Sequence, residues 1–133
     1  MREIQAKTIT EAVKNLCIKA CYNLPHDTYE ALHSLKETEK SESAKHILND
    51  LIENADIAYQ GEVPICQDTG VAVLFVEIGQ DVHVAGNLEE ALHEGVRQGY
   101  VQGYLRKSVV AEPLFDRINT KDNTPALFHC SGR

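Results

Sequence analysis

Apolar positions recur at helical spacing over residues 8–22, where Ile9, Val13, Leu16 and Ala20 mark one stripe. Cys17 and Cys21 lie on or beside it, and Thr8 and Glu11 stand at capping-box spacing near its start. Asn23-Leu24-Pro25 breaks the pattern. Asp27, with Glu30 after it, predicts the cap of a second helix running through Leu32 and Leu35. The polar run ETEKSES, residues 37–43, reads as a loop or solvated turn. A third helix is predicted over about residues 42–59. It carries Ala44, Ile47, Leu48, Leu51, Ile52, Ala55 and Ala58 on one face, and Gly61 fits its stop.

The period then changes. VAVLFVEI, residues 71–78, is a strand pattern, Gly79-Gln80-Asp81 a turn, and VHVAG, residues 82–86, a second alternating strand. Together they predict an antiparallel hairpin. Asn87, with Glu90 at the capping-box position, predicts a fourth helix to about residue 105. Residues 108–118 read as extended and broken by Pro113, and the chain is then polar and turn-rich up to Ala126. The expected fold class is α+β: N-terminal helices, then a short antiparallel hairpin or sheet packed against a glycine-containing helix.

Composition narrows the class. The 133 residues suffice for one domain with a real core, and 43% of them are apolar. A net charge of −7 argues against nucleic acid and anionic membranes, which need clustered Lys and Arg, but leaves room for a local basic pocket. The absence of Trp and the scarcity of aromatics argue against a base-stacking platform. No apolar run reaches ~18 residues, so no membrane span is expected. The opening MREIQAKTITEAVKN has no apolar signal core, and the expected location is cytoplasmic. In that setting the four cysteines, Cys17, Cys21, Cys66 and Cys130, read as free thiols or metal ligands rather than disulfides.

The densest chemistry is PICQDTG, residues 64–70. Pro64 biases Val63 toward an extended backbone, and Gly70 permits a close approach or an unusual dihedral. Cys66, Gln67, Asp68 and Thr69 are therefore expected on a constrained loop feeding a strand. A thiolate there can ligate iron or zinc or act as a nucleophile. The amide can donate to a carboxylate, and Asp68 can accept from a hydroxyl. The plainer reading is an Asx or ST turn with Cys66 buried. Cys17 and Cys21 could clip a metal, or pack in the core as cysteines commonly do. Gly95, Gly99 and Gly103 share one helix face and require a close neighbour, either within the domain or across a subunit contact. Arg106 and Lys107 can complement a helix C-terminus, or Arg106 can bind a carboxylate through its planar fork. The six histidines are scattered without metal-ligand spacing.

EVPICQDTGVAVLFVEI, residues 62–78, resembles the start of the catalytic region of the iron–sulfur hydro-lyases, the class I fumarate hydratases and L-tartrate dehydratases. REIQAKTITEAVKNLCIKACYNLP resembles the opening of their α subunit, and NLEEALHEGVRQGYVQGYLRKSVVAEPLFDRINTKDNTPA the segment after the hairpin. The resemblance implies a [4Fe–4S] cluster held by three cysteines, with Cys66 similar to the first ligand. Gln67 and Asp68 resemble residues that contact the hydroxy-dicarboxylate, and Arg106 an arginine that binds its carboxylate. It also implies reversible hydration of a diacid, malate with fumarate or tartrate to oxaloacetate.

The chain departs from the family's pattern beyond NTPA. Family α regions run to about twice this length, and their other two cluster cysteines lie in the part unmatched here. Only one of three expected ligands is matched, and the catalytic base is expected outside this chain. The expectation is therefore a single domain, the truncated N-terminal part of an α-type catalytic domain, with residues 127–133 an atypical tail. Its partners would be the dicarboxylate and a β subunit or C-terminal remainder, in an oligomer, and alone it would be inactive. Two other readings stand: a non-catalytic assembly remnant, and a zinc or redox protein using the four cysteines.

Overall fold

The computed structural model describes residues 1–132. Strand β1 (Arg2–Gln5), which the sequence pattern does not announce, leads directly into α1 (Ala6–Tyr22). Helices α2 (His26–Thr38) and α3 (Glu42–Gly61) follow, then β2 (Val73–Ile78), β3 (Val82–Ala85), α4 (Leu88–Gln102) and β4 (Leu127–Gly132). The α+β expectation holds. The chain forms two compact units, one of Lys19–Gln67 and one of Met1–Ile18 with the chain from Asp68 onward.

The strand pairing differs from the expected hairpin. β2 pairs in parallel with β4, from Val73 opposite Leu127 to Ile78 opposite Gly132. β3 pairs in parallel with β1, from Arg2 opposite Val82 to Gln5 opposite Ala85. The turn at residues 79–81 forms, closed by Val82 N–H donating to Gly79 O at 3.0 Å, yet it hands the chain to another strand. Alternation defines which side chains face the core and is blind to partner and direction. The partners are chosen by burial: Leu74 and Val76 of β2 and Phe128 of β4 all pack on the buried cluster of Val13, Leu92, Val96 and Ala126. Residues 127–132 form this paired strand. The expected extended stretch near 108–118 contributes an isolated antiparallel bridge between Val110 and Asn119.

In the Lys19–Gln67 unit, α2 packs on α3. Tyr29 Oη donates to Asp56 Oδ1 at 2.8 Å, and Lys36 Nζ donates to Asn49 Oδ1 at 2.6 Å. Ile52, Ala55 and Ala58 are buried, but Ile47 and Leu51 are 60% and 50% exposed, so the long apolar face of α3 is covered along one edge only. Asp27 lies inside the first turn of α2 rather than at its cap, which is Pro25. Its charge still suits the positive helix end. Gly61 remains helical, and the left-handed stop is Glu62, whose N–H reaches Ala58 O.

In the other unit, the glycine face of α4 lies against α1. A β-carbon on Gly95 would stand 2.5 Å from Val13 Cβ and 2.8 Å from Thr10 O. One on Gly99 would stand 2.8 Å from Cys17 Cβ, and one on Gly103 2.8 Å from Ile18 Cγ1. The close neighbour is therefore internal. Thr10 Oγ1 adds a 3.1 Å bond to Ala91 O across the same seam. On α1 the seam is Ile9, Val13 and Cys17, while Leu16 is 59% exposed. Thr8 is within the helix and caps nothing. Asn87 caps α4 as expected, its Oδ1 accepting from Glu90 N at 3.1 Å.

The far end of the unit is tied by charge. Arg97 Nε donates to Asp122 Oδ2 at 3.0 Å, and Asp122 Oδ1 accepts from Thr124 N and Oγ1 at 3.0 and 2.7 Å. Burial pushes the Asp122 carboxyl up, but the bonds from Thr124 and Arg97 outweigh it and hold it below its usual range. A carboxyl whose folded pKa is depressed stabilises the fold above its unfolded value, near ~4, and loses that contribution as pH falls through the folded value. Stability in urea is therefore expected to fall as pH drops below about 4. Asp122→Asn should make that acid limb shallower. An unchanged limb would remove Asp122 from the account.

Candidate functional site

The PICQDTG loop leaves α3 through the left-handed Glu62, and Val63 N–H closes the turn onto Ala58 O at 3.1 Å. Two bonds within the Lys19–Gln67 unit then fix the backbone around Cys66. Ile65 N–H donates to Cys21 O at 2.9 Å, and Cys66 N–H donates to Asn54 Oδ1 at 3.0 Å. These bonds leave the Cys66 side chain outside: it is exposed, so the buried-thiol reading does not hold. The Gln67 side chain hydrogen-bonds the Cys21 thiol. Burial pushes that thiol up, and the Gln67 bond offsets part of the rise. Cys21 is thus a packed partner of the loop.

Asp68 begins the second unit. Its Oδ1 accepts from Thr69 N at 2.7 Å and lies 3.4 Å from Thr69 Oγ1, the Asx and ST turn that its sequence allows. The residue is exposed. Gly70 meets no atom within 4 Å of a would-be β-carbon and has no positive φ, so neither close approach nor dihedral demands glycine there. What holds it is its carbonyl, which accepts from Asn123 Nδ2 at 3.2 Å.

Arg106 follows the end of α4. The helix stops at Gly103, whose N–H reaches Gly99 O, and Tyr104 turns left-handed at φ 52°. Leu105 is buried at 2% exposure with its N–H on Tyr100 O, so the exposed Arg106 springs from an anchored base. Beyond it, Lys107 O accepts from Asn119 Nδ2 at 3.0 Å, while Ser108 N–H and Val109 N–H both donate to Asn123 Oδ1, at 2.6 and 3.0 Å.

Of the four residues singled out by sequence, Cys66 and Gln67 belong to one unit and Asp68 and Arg106 to the other. Sequence reasoning missed Asn123, which is fully buried and sits at φ 60°. Its only signal was an Asn within a polar, turn-prone run, a type that tolerates the left-handed region. It also missed Ser108, whose Oγ is buried with no hydrogen-bond partner among the described residues. An unpartnered buried hydroxyl costs about 1–3 kcal/mol. Ser108→Ala is expected to raise stability by about 1 kcal/mol in thermal melts. A loss instead would mean that the hydroxyl is satisfied in solution.

Cys17 and Cys21 are partly buried, whereas Cys130 is exposed like Cys66. Cys17 packs against Gly99, and Cys130 lies on β4 opposite Val76. Among the described residues no group of three or more His, Cys, Asp or Glu could hold a metal ion, which leaves the four-cysteine zinc reading without a site. No described helix is long and apolar enough to cross a membrane.

The family model described as Fumarate hydratase (Fumerase) matches residues 10–132. The chain is 38% identical over 117 residues to the Methanocaldococcus jannaschii protein named "Putative L(+)-tartrate dehydratase subunit alpha", covering 86% of this chain and 40% of that one. It is 33% identical over 116 residues to the L(+)-tartrate dehydratase subunit alpha of Escherichia coli K12, covering 87% and 38% respectively. The same values hold for the subunit of that name in Shigella boydii. The chain spans about two-fifths of the length of the curated relatives it matches.

Proposed function

Because this chain belongs to the fumarate hydratase (Fumerase) family, we propose that it is the α-type portion of a hydro-lyase that adds water to, or removes it from, a hydroxy-dicarboxylate. The observation that carries the reading is the family match itself, which runs from residue 10 to residue 132 and takes in PICQDTG and LRKSVV. The substrates proposed are malate with fumarate, or L(+)-tartrate, the latter named in the relatives.

The roles follow from donor chemistry. Arg106 presents a planar guanidinium from a buried anchor and takes a substrate carboxylate by two parallel hydrogen bonds. Asp68 accepts from the substrate hydroxyl. Gln67 donates an amide N–H to a carboxylate oxygen. The base that removes the C–H proton is proposed to lie outside this chain, as does the β-type partner.

A [4Fe–4S] cluster, when bound, supplies a Lewis-acidic iron for a hydroxyl. Cys66 fits one corner of such a cluster: its thiol is exposed and its backbone is pinned by Asn54. A cluster of this kind takes three thiolates, and among the described residues no group of three or more His, Cys, Asp or Glu could hold a metal ion. Further ligands are therefore required from outside these 133 residues, and the chain alone is expected to be inactive.

Anaerobic incubation with iron and sulfide, followed by iron analysis and assays with malate, fumarate and tartrate, tests this. The chain alone should bind substoichiometric iron and show no turnover. Stoichiometric cluster with robust turnover would overturn the claim that ligands are missing. In an active assembly, Cys66→Ser should lose cluster absorbance, and an intact cluster would end the assignment of Cys66.

The assembly-remnant reading is weakened by the internal use of the glycine face, since Gly95, Gly99 and Gly103 are spent on α1 and its surroundings.

A further inference from the structure

Asn123 is a polar residue with no solvent exposure at all. Burying an amide is costly unless its hydrogen bonds are made. Here they are made to backbone distant in sequence. Oδ1 accepts from Ser108 N and Val109 N, 15 and 14 residues before it, and Nδ2 donates to Gly70 O, 53 residues before it. One carboxamide therefore bridges the strand-entry loop that carries Asp68 and the segment that carries Arg106.

The two sides of the bridge are not equally redundant. The Arg106 side has further supports: Asn119 Nδ2 on Lys107 O, and Thr120 N and Oγ1 on Val109 O at 3.0 and 3.3 Å. The Asp68 side is held at Gly70 by Asn123, and further along Leu127 N–H donates to Ala72 O at 2.9 Å, just before β2. Nothing steric pins Gly70 itself. The buried Asn123 carboxamide thus ties the loop beyond the Asp68 turn to the Arg106 segment.

We propose that Asn123 is the positioning residue of the dicarboxylate site, holding the Asp68 turn and the Arg106 segment in one fixed relation through its buried carboxamide. This rests on the reading that Asp68 and Arg106 bind the substrate. Asn123 itself touches no substrate. A displacement of about an ångström between two groups that grip one ligand costs much of the affinity, because the entropy of positioning is then no longer prepaid.

Asn123→Asp separates the two halves of the bridge. A carboxylate still accepts from Ser108 N and Val109 N, but it cannot donate to Gly70 O and repels it. The test uses the full 133-residue chain, 15N-labelled, titrated with L(+)-tartrate. In the wild type, the amides of residues 68–70 and 106–109 should shift together with one dissociation constant. In Asn123→Asp, Ser108 and Val109 amides should stay protected from exchange, residues 68–70 should shift or broaden without ligand, and tartrate affinity should fall by tenfold or more. Asn119→Ala, which touches the better-supported side, should leave affinity within about threefold.

Unchanged affinity in a folded Asn123→Asp would overturn the positioning role. So would wild-type spectra in which residues 68–70 ignore the ligand that shifts 106–109, a readout that needs no variant to fold. If wild-type chain binds no tartrate, but residues 68–70 still loosen in Asn123→Asp, the site reading fails while the bridge survives. If those residues do not loosen, the bridge fails by itself.

Discussion

Gly95→Ala is expected to destabilise the chain by about 2 kcal/mol net and lower Tm by roughly 5–10 °C. The new methyl would sit 2.5 Å from Val13 Cβ and 2.8 Å from Thr10 O. Neither atom is the free end of a flexible side chain. Val13 is 5% exposed and belongs to the central cluster, and Thr10 O is main chain within α1. The two helices must part, and overpacking of this kind costs about 3 kcal/mol. The better helix propensity of alanine returns about 1 kcal/mol. Gly99→Ala meets Cys17 Cβ at 2.8 Å and Lys14 O at 3.1 Å and should cost somewhat less. Gly70→Ala is the internal control. Its methyl meets nothing within 4 Å, so stability should stay level or rise slightly. Urea denaturation of the three variants decides the matter. A Gly95→Ala protein as stable as the wild type would mean that the seam is looser in solution.

Arg106→Ala is expected to weaken L(+)-tartrate or L-malate binding by roughly 30-fold or more, about 2 kcal/mol of charge-assisted hydrogen bonding. Arg106→Lys should recover only part of this. A lysine keeps the charge but offers a point donor in place of the planar fork, so a residual loss of about tenfold is expected. The segment's anchor is Leu105, at 2% exposure, so the fold should survive either substitution. Titration of each variant, with thermal melts alongside, separates binding from folding. Equal affinity for wild type and Arg106→Lys would argue for a simple field effect. Equal affinity for Arg106→Ala would remove the residue from the site.

Much of the local structure is legible in the chain. The four helices are readable because a 3.6-residue apolar period is a local property, and Asn87 caps α4 by a bond to Glu90 that spans three residues. Glycine at 95, 99 and 103 announces a close neighbour on the same grounds. The bounds slip where a cap is not the residue type expected, as at Glu62 and Pro25. The candidate site was partly legible too. PICQDTG marks itself by its density of polar groups, and Arg106 by its place at a helix end. Asn123 did not mark itself, because its partners are 14, 15 and 53 residues away and its own neighbourhood reads as a surface turn.

The sequence by itself determined the helical and extended periods, the glycine seam, the crowding of polar groups at Cys66 to Asp68 and the family resemblance. All of these are encoded within short windows. Only the tertiary structure decided that VLFVEI pairs with LFHCSG in parallel rather than folding back on VHVA. It alone showed that the glycine face serves α1, and that one buried amide ties Gly70 to Ser108 and Val109. The reason is common to all three. A strand's alternation, a helix's small face and a buried amide's hydrogen-bonding demand each specify that a partner must exist, and the choice of partner is made by which long-range contacts bury the most apolar surface and leave the fewest polar groups unpaired.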